Sequence, residues 1–504
     1  MSHHLRSPRL MTLTAAVALA LTGGSTMPAH AAEPSSVIAN DTVWKDTDGN
    51  EILAQGGNVL KVGSTYYWVG QKLVSGQPKA VNLYSSTDLE NWTFERAVLE
   101  QDGSEPYLTA PLWLGRPQLA RRPDGTFVVM AEVNDGDRNR NRILFATSAT
   151  VDGAYEPTGP PQEVNGNTVG DHSVFVDGDK AYLVYVGDHK KGAEKEFNQT
   201  VNVAPLNDTW TGVEPAVWTE WYAHKEAPAV LKANGAYYLF ASGMDNWDAT
   251  ATYYRSSATL GSWNTGVGWQ KVVHRPTRGG SDNSFGTQFE QIIPVTGSQG
   301  TSYLYNGDRY SQFYQPGSSS APGGVGRNAW YPLLFEGTTP VLRGDTDVDV
   351  DTAAGTVSGN RVANGRFDQD IAGTAVPHWD TSKAAGTAKV EESSQGAGRR
   401  QLALWDDTDY TAWVSQQVSL PDGTYELSFD YRSSGGQRSA YFEVKGHGSA
   451  AVPVPVHLNA KQDTWATKKV TFTVTSGRAN LGLWSDSPAG KWLNIDNVAV
   501  WPAG

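Results

Sequence analysis

The chain has 504 residues, 53 acidic against 40 basic side chains, and no cysteine. An acidic chain is a poor partner for nucleic acid or an anionic membrane surface, and without thiols neither disulfides nor cysteine chemistry contribute. The length is too great for one ordinary core and leaves room for two domains and a leader.

Residues 1–31 read as a secretory signal peptide. Arg6 and Arg9 form the charged start, residues 11–21 a short apolar run, and Ala29-His30-Ala31 the small-residue cleavage signal. The run is too short to span a bilayer, so a secreted, extracellular product is expected, more negative by the two lost arginines.

The body of the chain carries 18 Trp, 21 Tyr, 14 Phe and 53 Gly. An apolar pair, a Gly-containing turn and an aromatic-rich strand recur at Val59-Leu60, Gln118-Leu119, Val174-Phe175, Val230-Leu231 and Ile292-Ile293, about 55–65 residues apart. Each repeat predicts a β-hairpin, and further strands such as 81–84 and 252–255 follow several of them. Four strands repeated five times predict a five-bladed β-propeller over residues 41–350. Residues 351–360 read as a linker. From 361 to 504 short alternating strands (401–405, 413–418, 424–431, 441–445, 468–474, 480–484) predict a β-sandwich of jelly-roll type. The fold class is therefore all-β.

In such a ring, polar residues that open the innermost strands meet across a central funnel. Asp171, Glu226 and Gln288 open the third, fourth and fifth hairpins at matching positions. Two carboxylates so placed suit glycoside hydrolysis, where one acid protonates the departing oxygen. An inverting enzyme also needs a base about 6.5–9.5 Å away that activates water. Glu226, beside Ala227 and Pro228, is expected to be partly desolvated and to hold its proton as the acid, with Asp171 orienting it.

These motifs resemble glycoside hydrolase family 43 over the whole propeller. Gly170-Asp171-His172-Ser173-Val174-Phe175 is similar to the family's pKa-modulator strand, Lys225-Glu226-Ala227-Pro228-Ala229 to its general-acid motif, and Gly307-Asp308-Arg309 with Trp330-Tyr331-Pro332-Leu333 to its closing blade. Most members begin the first blade with a catalytic-base Asp. Here the segment reads Ala54-Gln55-Gly56-Gly57-Asn58, which resembles the exo-β-1,3-galactanase subgroup. That resemblance implies Gln288 as an unusual base through its imidic-acid form. A neutral amide is a poor base without a relay, so Glu290, two residues on, stays a rival. Gln55 replaces the subgroup's His, and Gly115 stands where these galactanases tend to carry a substrate-contacting Glu. Gln55, Arg116, Trp247 and Asp308 are expected to shape the sugar pocket.

The C-terminal segment resembles carbohydrate-binding modules attached to galactanases. That resemblance implies Trp405, Tyr410, Arg432, Gln437 and Trp484 as ligand contacts. Sandwiches of this type often hold a structural Ca²⁺ near their chain ends; Asp368 and Asp496 are oxygen donors in suitable regions, but the six or more ligands that calcium needs are not assigned. No cofactor is expected for catalysis, and no site for a catalytic metal is assigned. The expected activity is inverting release of galactose from β-1,3-galactan, the main chain of plant cell-wall arabinogalactan, by a monomer with no nucleic-acid or membrane partner. The alternatives are an α-L-arabinofuranosidase or β-xylosidase of the same fold, and a non-catalytic glycan-binding propeller.

Overall fold

The computed structural model describes residues 36–503 except 41, 75–76, 110–112, 135–140, 167, 191–196, 245–248, 264–267, 276–282, 310–325, 368–375, 377, 394–399 and 449–453. The leader segment 1–31, Trp247 and Asp368 lie outside the described residues. Every regular element among those described is a strand, and no helix there is long and apolar enough to cross a membrane.

Five antiparallel sheets follow one another, each with its first four strands in chain order. Their first strands are Val59–Val62, Trp113–Arg121, Thr168–Asp177, Glu226–Ala233 and Gln288–Gly297. The fifth sheet gains an edge strand, Val273–Arg275, parallel to Thr339–Arg343. These strands are apolar on both faces because each sheet is packed between two others. In Phe127–Asn134, Val129, Ala131 and Val133 join a core with Val69, Val81 and Leu83 of the first sheet. Val128 and Met130, alternating with them, join Leu183 and Tyr185 of the third. A separate core fills each further interface: Val184 with Leu239 and Trp263, Phe240 with Ile292 and Tyr331, and Trp68 and Trp92 with Ile293 and Trp330. Five sheets thus share five interfaces, and the fifth sheet packs against the first.

Each interface also carries a side-chain hydrogen bond to the neighbouring backbone. Asn58 pairs with both backbone groups of Leu119 (2.9 and 2.7 Å). Gln118 accepts from Val174 N (3.4 Å), Ser173 donates to Pro228 O (2.7 Å), and Ser242 accepts from Phe289 N (3.0 Å). Gln291 accepts from Val59 N (2.9 Å), which joins the last sheet to the first. Buried backbone groups left without partners are costly, so these five residues fix how neighbouring sheets register.

Residues 351–360, expected to be a linker, are mostly a β-hairpin. Asp347–Asp351 pairs with Thr356–Gly359 on one side and with Ser36–Ala39 on the other. The reason is the alternation around Val348 and Val350, which are buried beside Ile38 in the core between sheets five and one. Beyond it, two five-stranded sheets enclose one core that includes Leu402, Leu427 and Ile495 from one and Val414, Phe442 and Leu483 from the other.

Asn58→Ala strands both the N–H and the C=O of Leu119. Urea unfolding should record a loss of about 2–4 kcal/mol. Gln291→Ala, which breaks one bond at a partly exposed site, should lose less.

Candidate active site

The backbone brings the polar strand openings together through β-bulges at matching places. The pairing of first and second strands shifts between Gly115 and Gln118, Val169 and His172, Glu226 and Ala229, and Phe289 and Gln291. A bulge re-aims a side chain and ends regular pairing. Arg116 and Ala227 within these bulges have φ of 43° and 49°, a conformation that non-glycine residues hold at a cost of about 1–3 kcal/mol. These two strained residues sit beside Asp171 and Glu226.

Arg116 is the hub. Its Nε donates to Asp171 and its Nη1 to Glu290. The arginine is 7% exposed and Glu290 3%. Burial pushes the Glu290 carboxyl well above the usual carboxylate range; Asp308 and Asp171 add to this, and Arg116 opposes it. Asp171, partly exposed, also accepts the Ala227 backbone N–H at 2.9 Å. That contact ties the third sheet to the residue after Glu226. Next to it, burial first and then Arg116 hold His172 down at about 4.

Glu226 and Gln288 meet directly: Gln288 Nε2 donates to Glu226 Oε1 at 2.6 Å. The expected gap of one water between acid and base is therefore not found between these two side chains. They come from neighbouring sheets, four and five, and extend toward each other instead of facing across the funnel. Glu290, whose Oε2 is held by Arg116, is sealed beneath.

The sequence-predicted pocket residues divide. Asp171, Glu226, Gln288 and Arg116 come together. Gln55 and Asp308 are 1% exposed and lock sheet one to sheet five from beneath. Gln55 Nε2 donates to Arg309 O at 2.6 Å, while Asp308 accepts from Gly56 N and from the Asn328 amide, both at 2.5 Å. They are positioning residues, which corrects the expectation of sugar contacts. Sequence reading missed Gln71, which accepts the Arg116 N–H at 3.2 Å. Its signal was a polar residue inside an otherwise apolar strand. Gly115 has a steric reason: a Cβ there would lie 2.4 Å from Trp113 Nε1 and 2.8 Å from Gln71 Oε1. Those two side chains occupy the space that a Glu would need.

In the C-terminal sandwich the expected ligand contacts also separate. Tyr410 is buried and donates to Leu404 O (3.0 Å), and Gln437 is buried and donates to Trp492 O (2.9 Å). Both hold loops, which corrects the expectation. Trp405 stands beside Trp492 on one sheet with Lys389 over its ring at 3.5 Å, and Arg432 lies between Trp465 and Trp492. Trp484 is on the other sheet. Asp496 is fully buried, in register with Asp430. Among the described residues no three His, Cys, Asp or Glu side chains group as a metal site, and Asp368 lies outside those residues.

The family model for glycosyl hydrolases family 43 matches residues 54–319. The chain belongs to that family. It is a glycoside hydrolase. No curated protein matches the chain. Among solved structures, an exo-β-1,3-galactanase of Phanerochaete chrysosporium bound to β-1,3-galactotriose is 23% identical, with 92% of this chain and 100% of that one covered at a TM-score of 0.56. An exo-β-1,3-galactanase of Clostridium thermocellum is 24% identical, with the same coverage and TM-score. A family 43 β-1,3-galactosidase with galactodeoxynojirimycin is 23% identical, covering 61% of this chain and 98% of its own at a TM-score of 0.50. At these identities the likeness is one of fold.

Two expectations follow for this centre. Arg116→Met leaves buried carboxylates without their cation and should cost about 3–5 kcal/mol; adding Glu290→Gln should recover part of that loss in a double-mutant cycle of urea unfolding. For His172, the folded chain takes a proton only near pH 4, whereas the unfolded chain does so near 6.5. Its contribution is therefore complete above pH 6.5 and is lost as pH falls from there toward 4, by up to about 3 kcal/mol. Stability measured across that window should fall less steeply in His172→Gln than in the wild type.

Proposed function

We propose that the chain is a secreted, inverting exo-glycosidase that releases galactose from β-1,3-galactan, the main chain of arabinogalactan. In this reading the five sheets are the blades of a β-propeller, residues 1–31 are a cleaved leader, and the C-terminal sandwich is a carbohydrate-binding module. The observation that carries it is the Glu226–Gln288 contact beside Asp171, with Arg116 and Glu290 beneath. The relatives named for β-1,3-galactan and its galactosides support the substrate.

Glu226 protonates the departing glycosidic oxygen and becomes a carboxylate. Water attacks the anomeric carbon from the opposite face and gives its proton to Gln288. When the products leave, the Gln288–Glu226 contact re-forms, and the protonated amide passes one proton to the carboxylate. Glu226 is acidic again, and Gln288 is left as a neutral tautomer. In this reading Gln288 takes the proton on the nitrogen of its imidic-acid form, and giving an N–H proton back to Glu226 restores that form. Asp171 holds the segment after Glu226 through the Ala227 N–H. Glu290 is a poorer base because Arg116 and burial keep it from water. An arabinofuranosidase or xylosidase reading asks for an aspartate opening the first sheet, where Gln55 instead binds the Arg309 backbone.

Product analysis on β-1,3-galactan with the anomer followed by NMR tests this reading. Galactose should appear first as the α-anomer. Glu226→Gln should lower kcat at least a thousandfold and Gln288→Ala at least a hundredfold, each with unchanged thermal unfolding. Glu290→Gln should stay within about tenfold of wild type. Release of arabinose or xylose alone, or the β-anomer first, would refute it.

A further inference from the structure

The C-terminal sandwich has one sheet face with a composition that its core does not explain. Strands Tyr410–Ser419, Arg478–Ser487, Ser439–Lys445 and Val454–His457 lie side by side in the order Tyr410–Ser419, Arg478–Ser487, Ser439–Lys445, Val454–His457. Their inward residues, Ala412, Val414, Leu483, Phe442 and Val444, are at most 1% exposed and complete the core. The alternate residues face away from it. On that outward side the register sets Trp413 opposite Trp484, Trp484 opposite Tyr441, and Tyr441 opposite His457. With strands about 4.8 Å apart, the first three rings span roughly 10 Å across the sheet.

The platform is shaped as well as aromatic. Gly482 lies one step along from Trp484, and a Cβ there would fall 2.0 Å from the Trp413 ring. The glycine lets that indole lie down over the sheet and present a face. Lys445 sits 4.0 Å from the same ring and is paired with Glu443 at 2.8 Å. At the neighbouring edge Arg438 is neutralised by Asp409 and Asp486. The rings are thus set among ion-paired side chains and hydrogen-bonding groups, among them Ser415 and Asn480 on the outward side. Ring faces bounded by neutral polar groups suit the C–H faces and hydroxyls of an uncharged sugar, and they suit neither an anionic polymer nor an apolar protein partner.

We infer that the outward face carrying Trp413, Trp484 and Tyr441 is a binding surface for a neutral polysaccharide chain, laid across the strands. It is separate from the candidate active site and from the Trp405–Trp492 face of the other sheet. The choice of ligand rests on the proposed galactan-degrading function. The surface would hold the enzyme on its polymer while chain ends are processed elsewhere.

The test uses the full chain carrying Glu226→Gln, so that the polymer is not consumed. Binding to soluble β-1,3-galactan, arabinogalactan and β-1,4-galactan is measured by affinity electrophoresis and calorimetry. Trp484→Ala and Trp413→Ala should each weaken binding to the preferred polymer at least tenfold, and Trp484→Phe should recover most of the loss. Trp405→Ala should bind like the parent. In the otherwise wild-type chain, Trp484→Ala should leave kcat/KM on β-1,3-galactotriose unchanged. Unaltered affinity in both alanine variants with wild-type melting, loss confined to Trp405→Ala, a Trp484→Phe as weak as the alanine variant, or no binding to any of the polymers would overturn the inference. A chain that binds galactan through these rings but releases no galactose would instead overturn the proposed function and leave this surface standing.

Discussion

The polar centre of this protein depends on one buried guanidinium. Arg116 reaches Asp171 in the next sheet and Glu290 in the fifth, and its own N–H rests on Gln71 of the first. A charged group so deeply placed is tolerable only when paired and hydrogen-bonded. Each of its partners is therefore held in place by the same requirement. Burial, with Asp308 and Asp171 adding to it and Arg116 opposing it, pushes the Glu290 carboxyl well above the usual carboxylate range, while Asp171 also accepts the Ala227 N–H.

Around that centre the architecture solves a second problem. Sheets packed face to face by apolar side chains can slide, because burial has no direction. Asn58, Gln118, Ser173, Ser242 and Gln291 add direction at each interface by binding the neighbour's backbone. The β-bulges just upstream then turn the site residues inward at a fixed height. Rigid sheets and strained bulges work together: the former restrain the latter, and the proposed reacting groups inherit the precision of both.

The C-terminal sandwich follows a simpler rule. Alternation sends one set of residues to a common core and leaves the other set outside. Its outward aromatic residues are divided between two faces, one with Trp405 and Trp492 and the other with Trp413, Trp484 and Tyr441. Of the residues that sequence reading grouped as ligand contacts, Trp405 and Arg432 belong to one sheet and Trp484 to the other, and Tyr410 and Gln437 are parts of the frame.

The sequence alone determined the strand pattern, because alternation and turn glycines are local. It also singled out Asp171, Glu226 and Gln288, each near the start of the first strand of its sheet, because the repeat carries them. It did not determine that Gln55 and Asp308 lie under the site instead of in it, that Trp113 and Gln71 occupy the space beside Gly115, or that Glu226 touches Gln288. Nor did it reveal that residues 356–359 pair with Asp347–Asp351, which itself pairs with Ser36–Ala39. Those facts depend on contacts between residues up to three hundred positions apart, and no local pattern encodes which side chains two packed sheets will bring within hydrogen-bond distance.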